Sequence, residues 1–191
     1  MEFRRAYWDE TPNAGLIARH EEQIFPLAHK RYLFAGVDDF YLYDFYTGSG
    51  VVDENVFAYS NRVGDERALV LYHNRYAETR GWVRTSVAYA VKSGDDEKRL
   101  VQRSLGEGLD LRDDDETFTI FRDHVNDLEY IRRNRELHEK GLYAELGAYQ
   151  HHVFLDFRQV RDTEWHQYAQ LASYLDGRGV PSIDEALKEV L

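Results

Sequence analysis

Between Leu69 and Trp82 the chain reads LVLYHNRYAETRGW, an apolar run that gives way to two Arg, a Glu, a His and an Asn among aromatic residues. Tyr72, Tyr76 and Trp82 fall within eleven residues of one another. Flat rings of this kind stack on the C–H faces of sugars and of other amphipathic ligands. These three are the candidate carbohydrate-binding residues. Packing at the core or rim of a β-domain is the simpler use of the same side chains.

The remaining chemistry-bearing groups give no assignable centre. Glycoside hydrolysis needs two carboxyl groups flanking the scissile bond, and Asp38 with Asp39, Asp95 to Glu97 and Asp113 to Glu116 supply such pairs. All lie in predicted turns, where solvated carboxylates are ordinary. The run DDDET fails as a calcium loop because Phe118 stands where that loop needs glycine. His151 and His152 are neighbours in a predicted strand, so they point to opposite faces and cannot chelate one ion together. Asp123 and His124 adjoin, but no serine sits on a nucleophile elbow. TGSGV and GEGLDL lack the dinucleotide fingerprint and the Walker lysine. No cysteine is present, which removes thiolate zinc sites and cysteine nucleophiles. No catalytic residue, no metal site and no cofactor is expected.

The elements that must position these residues follow from periodicity. Residues 14–34 place Leu16, Ile17, Ile24, Leu27, Tyr32 and Leu33 near one face of an amphipathic helix, kinked at Pro26. Strands are predicted over 40–46, 55–63, 67–74 and 83–91, with Gly64 and Asp65 turning the second into the third. A short helix is predicted over 98–109, extended chain over 116–125 and 128–132, and a short helix ending at Gly141 in the manner of a C-cap. Two closing strands, 142–147 and 149–160, precede a helix over 163–176 and a last helix capped by Ser182 and Glu185.

The bulk numbers agree with a folded domain. The 191 residues are enough for one core but too few for a complete (β/α)8 barrel. A net charge of −11 argues against nucleic acid and anionic membrane as partners. No run approaches a membrane span, and a cytoplasmic location is expected.

The order of these segments resembles the alpha-amylase family, glycoside hydrolase family 13, where the last barrel helix runs into the C-terminal β-domain. AHKRYLFA leads to FYLYDF, then DENVFAYSN, RVGDE and ALVLYHN, and the chain closes with YAELGAYQHHVFLDF. The similarity spans roughly residues 14 to 160. It implies a mainly β chain: an antiparallel β-sandwich over 36–162, an N-terminal helical segment over 1–35 that resembles the end of a catalytic barrel, and a C-terminal helical tail over 163–191. The family's catalytic carboxylate motifs do not occur here. The resemblance therefore implies a non-catalytic domain linked to α-glucan metabolism, with a (β/α)8 barrel, in cis or in trans, as partner and α-glucan as a second one. Two other readings are an autonomous carbohydrate-binding module and an independent hydrolase with an unrecognised carboxylate pair.

Overall fold

The computed structural model describes residues 9–94 and 97–190, and the chain divides into two units, Met1–Tyr32 and Leu33–Leu191. In the first, α1 (Ala14–Arg19) begins at Asn13, whose side chain accepts the Leu16 N–H at 3.0 Å. A π-helical turn, His20–Ile24, leads into α2 (Phe25–His29). The sequence places a kink at Pro26, and the structure places the wide turn just ahead of it. Proline has no N–H to return to the preceding turn and its ring crowds that carbonyl, so the helix opens there.

The second unit is mainly β and wholly antiparallel in its strand pairing. Its strands are β1 (Tyr41–Thr47), β2 (Val56–Val63), β3 (Glu66–His73), β4 (Thr79–Ser86), β5 (Tyr89–Lys92), β6 (Lys98–Val101), β7 (Thr117–Asp123), β8 (Leu128–Arg133), β9 (Leu142–Leu146) and β10 (His151–Arg161). Eight of them form one sheet in the order β8-β7-β10-β3-β2-β1-β4-β9, and β5 pairs only with β6. The predicted hairpin is β2 and β3, in unbroken register from Val56 opposite His73 to Val63 opposite Glu66. Gly64 turns it with φ +58, a conformation glycine adopts without steric cost.

Two expectations are corrected. Residues 98–109 are not one helix but β6 followed by α3 (Leu105–Gly108), which Ser104 and Glu107 open with a capping box. The predicted strand 83–91 is divided between β4 and β5, because Val87 leaves the sheet after donating its N–H to the Leu42 carbonyl.

Cross-strand pairs share a face, so the register sorts the side chains into an inner and an outer set. The inner set contains Phe45, Ala58, Leu71, Val83, Phe121, Leu142 and Phe154, in one core with Leu105, Leu109 and Leu137. Tyr130 on one edge strand packs against the same core as Leu142 on the other, so the sheet curls on itself. Leu137 reaches that core from α4 (Asn134–Glu139), the helix that carries the chain from β8 to β9. The start of α4 is pinned by buried Asn134, which accepts from the Thr119 hydroxyl at 2.5 Å and donates to the Arg112 carbonyl at 2.9 Å.

On the outer side, α5 (Gln167–Leu175) and α6 (Ile183–Val190) cover β7 and β8. Leu171, Leu175 and Ile183 meet Phe118, Ile120 and Ile131 there. Each such buried aliphatic side chain contributes about 1.5–3 kcal/mol. Trp165 lies exposed in the turn before α5. Among the described residues no helix is long and apolar enough to cross a membrane.

Candidate functional site

The outer face of β10, β3, β2, β1, β4 and β9 carries a band of aromatic rings. His151 stands opposite Tyr72, and Tyr72 opposite Phe57. Tyr46 stands opposite Trp82, and Trp82 opposite Tyr143. Alternation puts every one of these on the side away from Phe45, Leu71 and Val83. A second row, Val70, Tyr59 and Leu42, runs beside the first. Phe57, Leu42 and Tyr143 are each at least 40% exposed, so the band is an apolar surface of the isolated chain.

The three candidate residues separate on this frame. Tyr72 stacks on Phe57, with centroids 6.5 Å apart and an interplanar angle of 19°. Trp82 meets Tyr143 edge-on at 5.4 Å. Two strands lie between Tyr72 and Trp82, a span of roughly 14 Å at ordinary strand spacing. Tyr76 sits in the loop after β3, 85% exposed, beside Tyr149 at 6.3 Å. The two loops are tied together where Tyr149 N–H meets the Arg75 carbonyl and His73 N–H meets the Gln150 carbonyl. Tyr149 has φ +54, a conformation that costs a non-glycine residue roughly 1–2 kcal/mol. The rings of Tyr72, Tyr76 and Trp82 each meet a different aromatic neighbour, so they form no single cradle.

The edge strands β8 and β9 do not pair. Between them opens a cleft of about 980 Å³, within the range of small-ligand sites. Its inner wall is aromatic. Phe121 stacks on Tyr130 at 5.8 Å, and Phe154 meets Phe121 edge-on at 5.2 Å. His152 lies parallel to Phe154 at 5.4 Å. Trp82, Tyr143 and Glu145 form the rim along β9 and β4.

A buried pair lies at the inner end of this cleft. Asp123 is fully buried and accepts from His152 Nδ1 at 2.6 Å, Val125 N at 3.0 Å and Val153 N at 3.3 Å. This fixes the proton on Nδ1 and turns Nε2 away from the carboxylate. Asp123 adjoins His124 in sequence, but its side-chain partner is His152, which β10 brings to the same inner face. Strand parity shows that His151 and His152 part company; only the register of β7 against β10 shows which of them meets Asp123.

The carboxylate clusters are engaged elsewhere. Asp113 and Asp115 pair with Arg135, and Glu116 with Arg161. Asp114 caps the start of β7 through Thr117, whose hydroxyl bond is the main cause of its lowered pKa. Asp39 pairs with Arg62 at 2.7 Å. Asp95 and Asp96 lie outside the described residues. Asp53 feels burial, which raises its pKa, but bonds from Thr79 and Asn55 outweigh this and hold it below the usual carboxylate value. Among the described residues no group of three or more His, Cys, Asp or Glu side chains is placed to hold a metal ion.

No protein-family model, no curated protein and no solved structure matches this chain. Nothing in these comparisons links the chain to the alpha-amylase family.

Proposed function

We propose that this chain is a non-catalytic β-domain of an alpha-amylase-like glycoside hydrolase, acting in α-glucan metabolism and docking to a (β/α)8 barrel. The observation that carries the reading is the outer apolar face. One part of the outer surface, over β7 and β8, is covered by α5 and α6, whereas Leu42, Phe57 and Tyr143 on the remainder are 40–46% exposed. Exposed apolar area of this kind marks an interaction surface. In this reading the facing halves of the curled sheet are the two layers of a sandwich, and the DENVFAYSN and ALVLYHN segments are the hairpin that presents the face.

The test is co-expression with the coding sequence that precedes Met1 and with neighbouring genes. A barrel of the alpha-amylase type should co-purify and should slow hydrogen exchange at β1 and β2. A neighbourhood without such a barrel, or exchange unchanged in its presence, removes the reading.

The aromatic band favours a second reading, a carbohydrate-binding module using Tyr72, Tyr76 and Trp82. It requires that maltooligosaccharides titrate the chain and that Trp82→Ala abolish the signal. The hydrolase reading has less support, since the loop carboxylates described above are bound to arginine or to backbone.

A further inference from the structure

We propose that the cleft between β8 and β9 is a binding site for a neutral, polyhydroxylated ring, with His152 Nε2 hydrogen-bonded to one ligand hydroxyl and Tyr130 donating to another. The proposal rests on the carbohydrate reading above and moves it from the outer band to the cleft.

Four features carry it. The Asp123 carboxylate engages His152 Nδ1 at 2.6 Å, which leaves Nε2 as the ring nitrogen available to a ligand hydroxyl. His152 lines the cleft and keeps 15% of its side chain accessible. The Tyr130 hydroxyl accepts from Asn126 Nδ2 at 2.8 Å, while Asn126 Oδ1 accepts from Leu128 N at 3.0 Å. The amide orientation is thereby fixed, and the phenolic proton remains free to donate. Tyr130 and, at the rim, Trp82 and Tyr143 supply partly exposed rings on which a ligand ring stacks.

Two further facts select the chemistry. The charged side chains lining the cleft balance, Arg132, Arg133 and Arg178 against Glu136, Glu145 and Asp176, so the lining selects neither an anion nor a cation. The edge of β8 is already occupied, because Val180 bridges to Glu129 and Arg132 donates to the Ile131 carbonyl at 2.8 Å and to that of Gly177 at 3.0 Å. A peptide strand adding to this edge would have to displace both. A compact ligand with hydroxyl groups at its rim does not.

The test titrates maltotetraose into the full chain and into single variants, followed by calorimetry and by the ring-nitrogen NMR signals of His152. Tyr130→Phe keeps the ring and removes one hydrogen bond, and it should weaken binding about 5-fold. His152→Gln should weaken it about 10-fold or more, while Tyr72→Ala and Tyr76→Ala change it less than about 2-fold. The wild-type Nε2 signal should move on addition of the sugar. If Tyr130→Phe and His152→Gln bind as the wild type while Tyr72→Ala or Tyr76→Ala does not, the cleft assignment is overturned and the carbohydrate reading stands. If maltotetraose gives no signal with the wild type, the carbohydrate reading itself falls and the cleft assignment with it.

Discussion

Asp123→Ala should be among the most damaging single changes in the second unit. The carboxylate is fully buried and takes three hydrogen bonds, from His152 Nδ1 and from the backbone of Val125 and Val153. Alanine strands all three donors, at about 1–3 kcal/mol for each one left unpaired. Relaxation around the site reduces the simple sum, giving an expected loss of about 3–5 kcal/mol, the range for breaking a buried pair. Asp123→Asn is gentler. One oxygen remains for the two backbone donors, and His152 can take its other tautomer and accept from the new amide, so about 1–2 kcal/mol is lost. For a chain of this length each kcal/mol lowers the melting temperature by roughly 2–4 °C. The alanine variant should therefore melt roughly 6–20 °C below wild type and the asparagine variant roughly 2–8 °C below. Urea unfolding followed by circular dichroism gives the free energies, and His152→Ala completes a double-mutant cycle with an expected coupling of about 1–3 kcal/mol. An asparagine variant as damaged as the alanine one, or a cycle additive to within about 0.5 kcal/mol, would refute the assigned hydrogen bonding.

Three further outcomes are expected. Gly141→Ala should lose about 2–4 kcal/mol in urea unfolding, because φ is +82 and the new Cβ would stand 2.0 Å from the Val83 carbonyl oxygen. Gly64→Ala, with positive φ but open space around it, should lose only about 1 kcal/mol, and equal losses would contradict the steric argument. Burial pushes the Tyr43 phenol well above the usual tyrosine value, against the opposing bond with Ser60 at 2.6 Å. Its raised pKa means that the stability tied to the protonated form is complete below the ordinary value of about 10 and is lost as pH rises through the folded one. Phenolate absorbance should show that Tyr43 ionises only as the fold melts, and Tyr43→Phe should remove that step. Asp53 has the opposite sign: its lowered pKa gives stability that is present above the ordinary carboxylate value and is lost as pH falls through the folded one. The acid limb of a stability-against-pH curve should accordingly flatten in Asp53→Asn.

Local signals in the sequence were enough for the β2 and β3 hairpin, since alternating apolar residues and a Gly-Asp turn both specify one register. Gly141 was equally legible, because a helix stop before an apolar strand asks for positive φ, and the structure shows it. The 98–109 stretch misled because KRLVQRSL has helical spacing, whereas only the part from Ser104 onward has a cap to begin a helix. Residues 98–101 pair with β5 instead, and backbone pairing overrides a weak propensity. Among the candidate site residues, Trp82 reaches the cleft rim and the others do not line it. Their closeness in sequence says little, because Tyr72 and Trp82 share the outer face with two strands between them and Tyr76 stands in the connecting loop.

What the sequence could not show is the gap itself. Consecutive strands joined by a short connection usually become neighbours, and β8 and β9 are separated by only eight residues, yet they stand at opposite edges of the sheet. The cause lies in α4. Asn134 is anchored by Thr119 and Arg112, and Leu137 is buried in the inner core, so the connection passes through the interior and delivers the chain to β4 on the far edge. Gly141, turning with positive φ against Val83, allows β9 to start there. His138 completes the anchor by bonding the Leu111 carbonyl at 3.0 Å. The two edges are thus held apart by their own connection, which leaves the curled sheet with a lined opening between them. The side chains proposed to meet a ligand, His152 and Tyr130, belong to strands that carry no motif, and only the sheet register brings them to that opening.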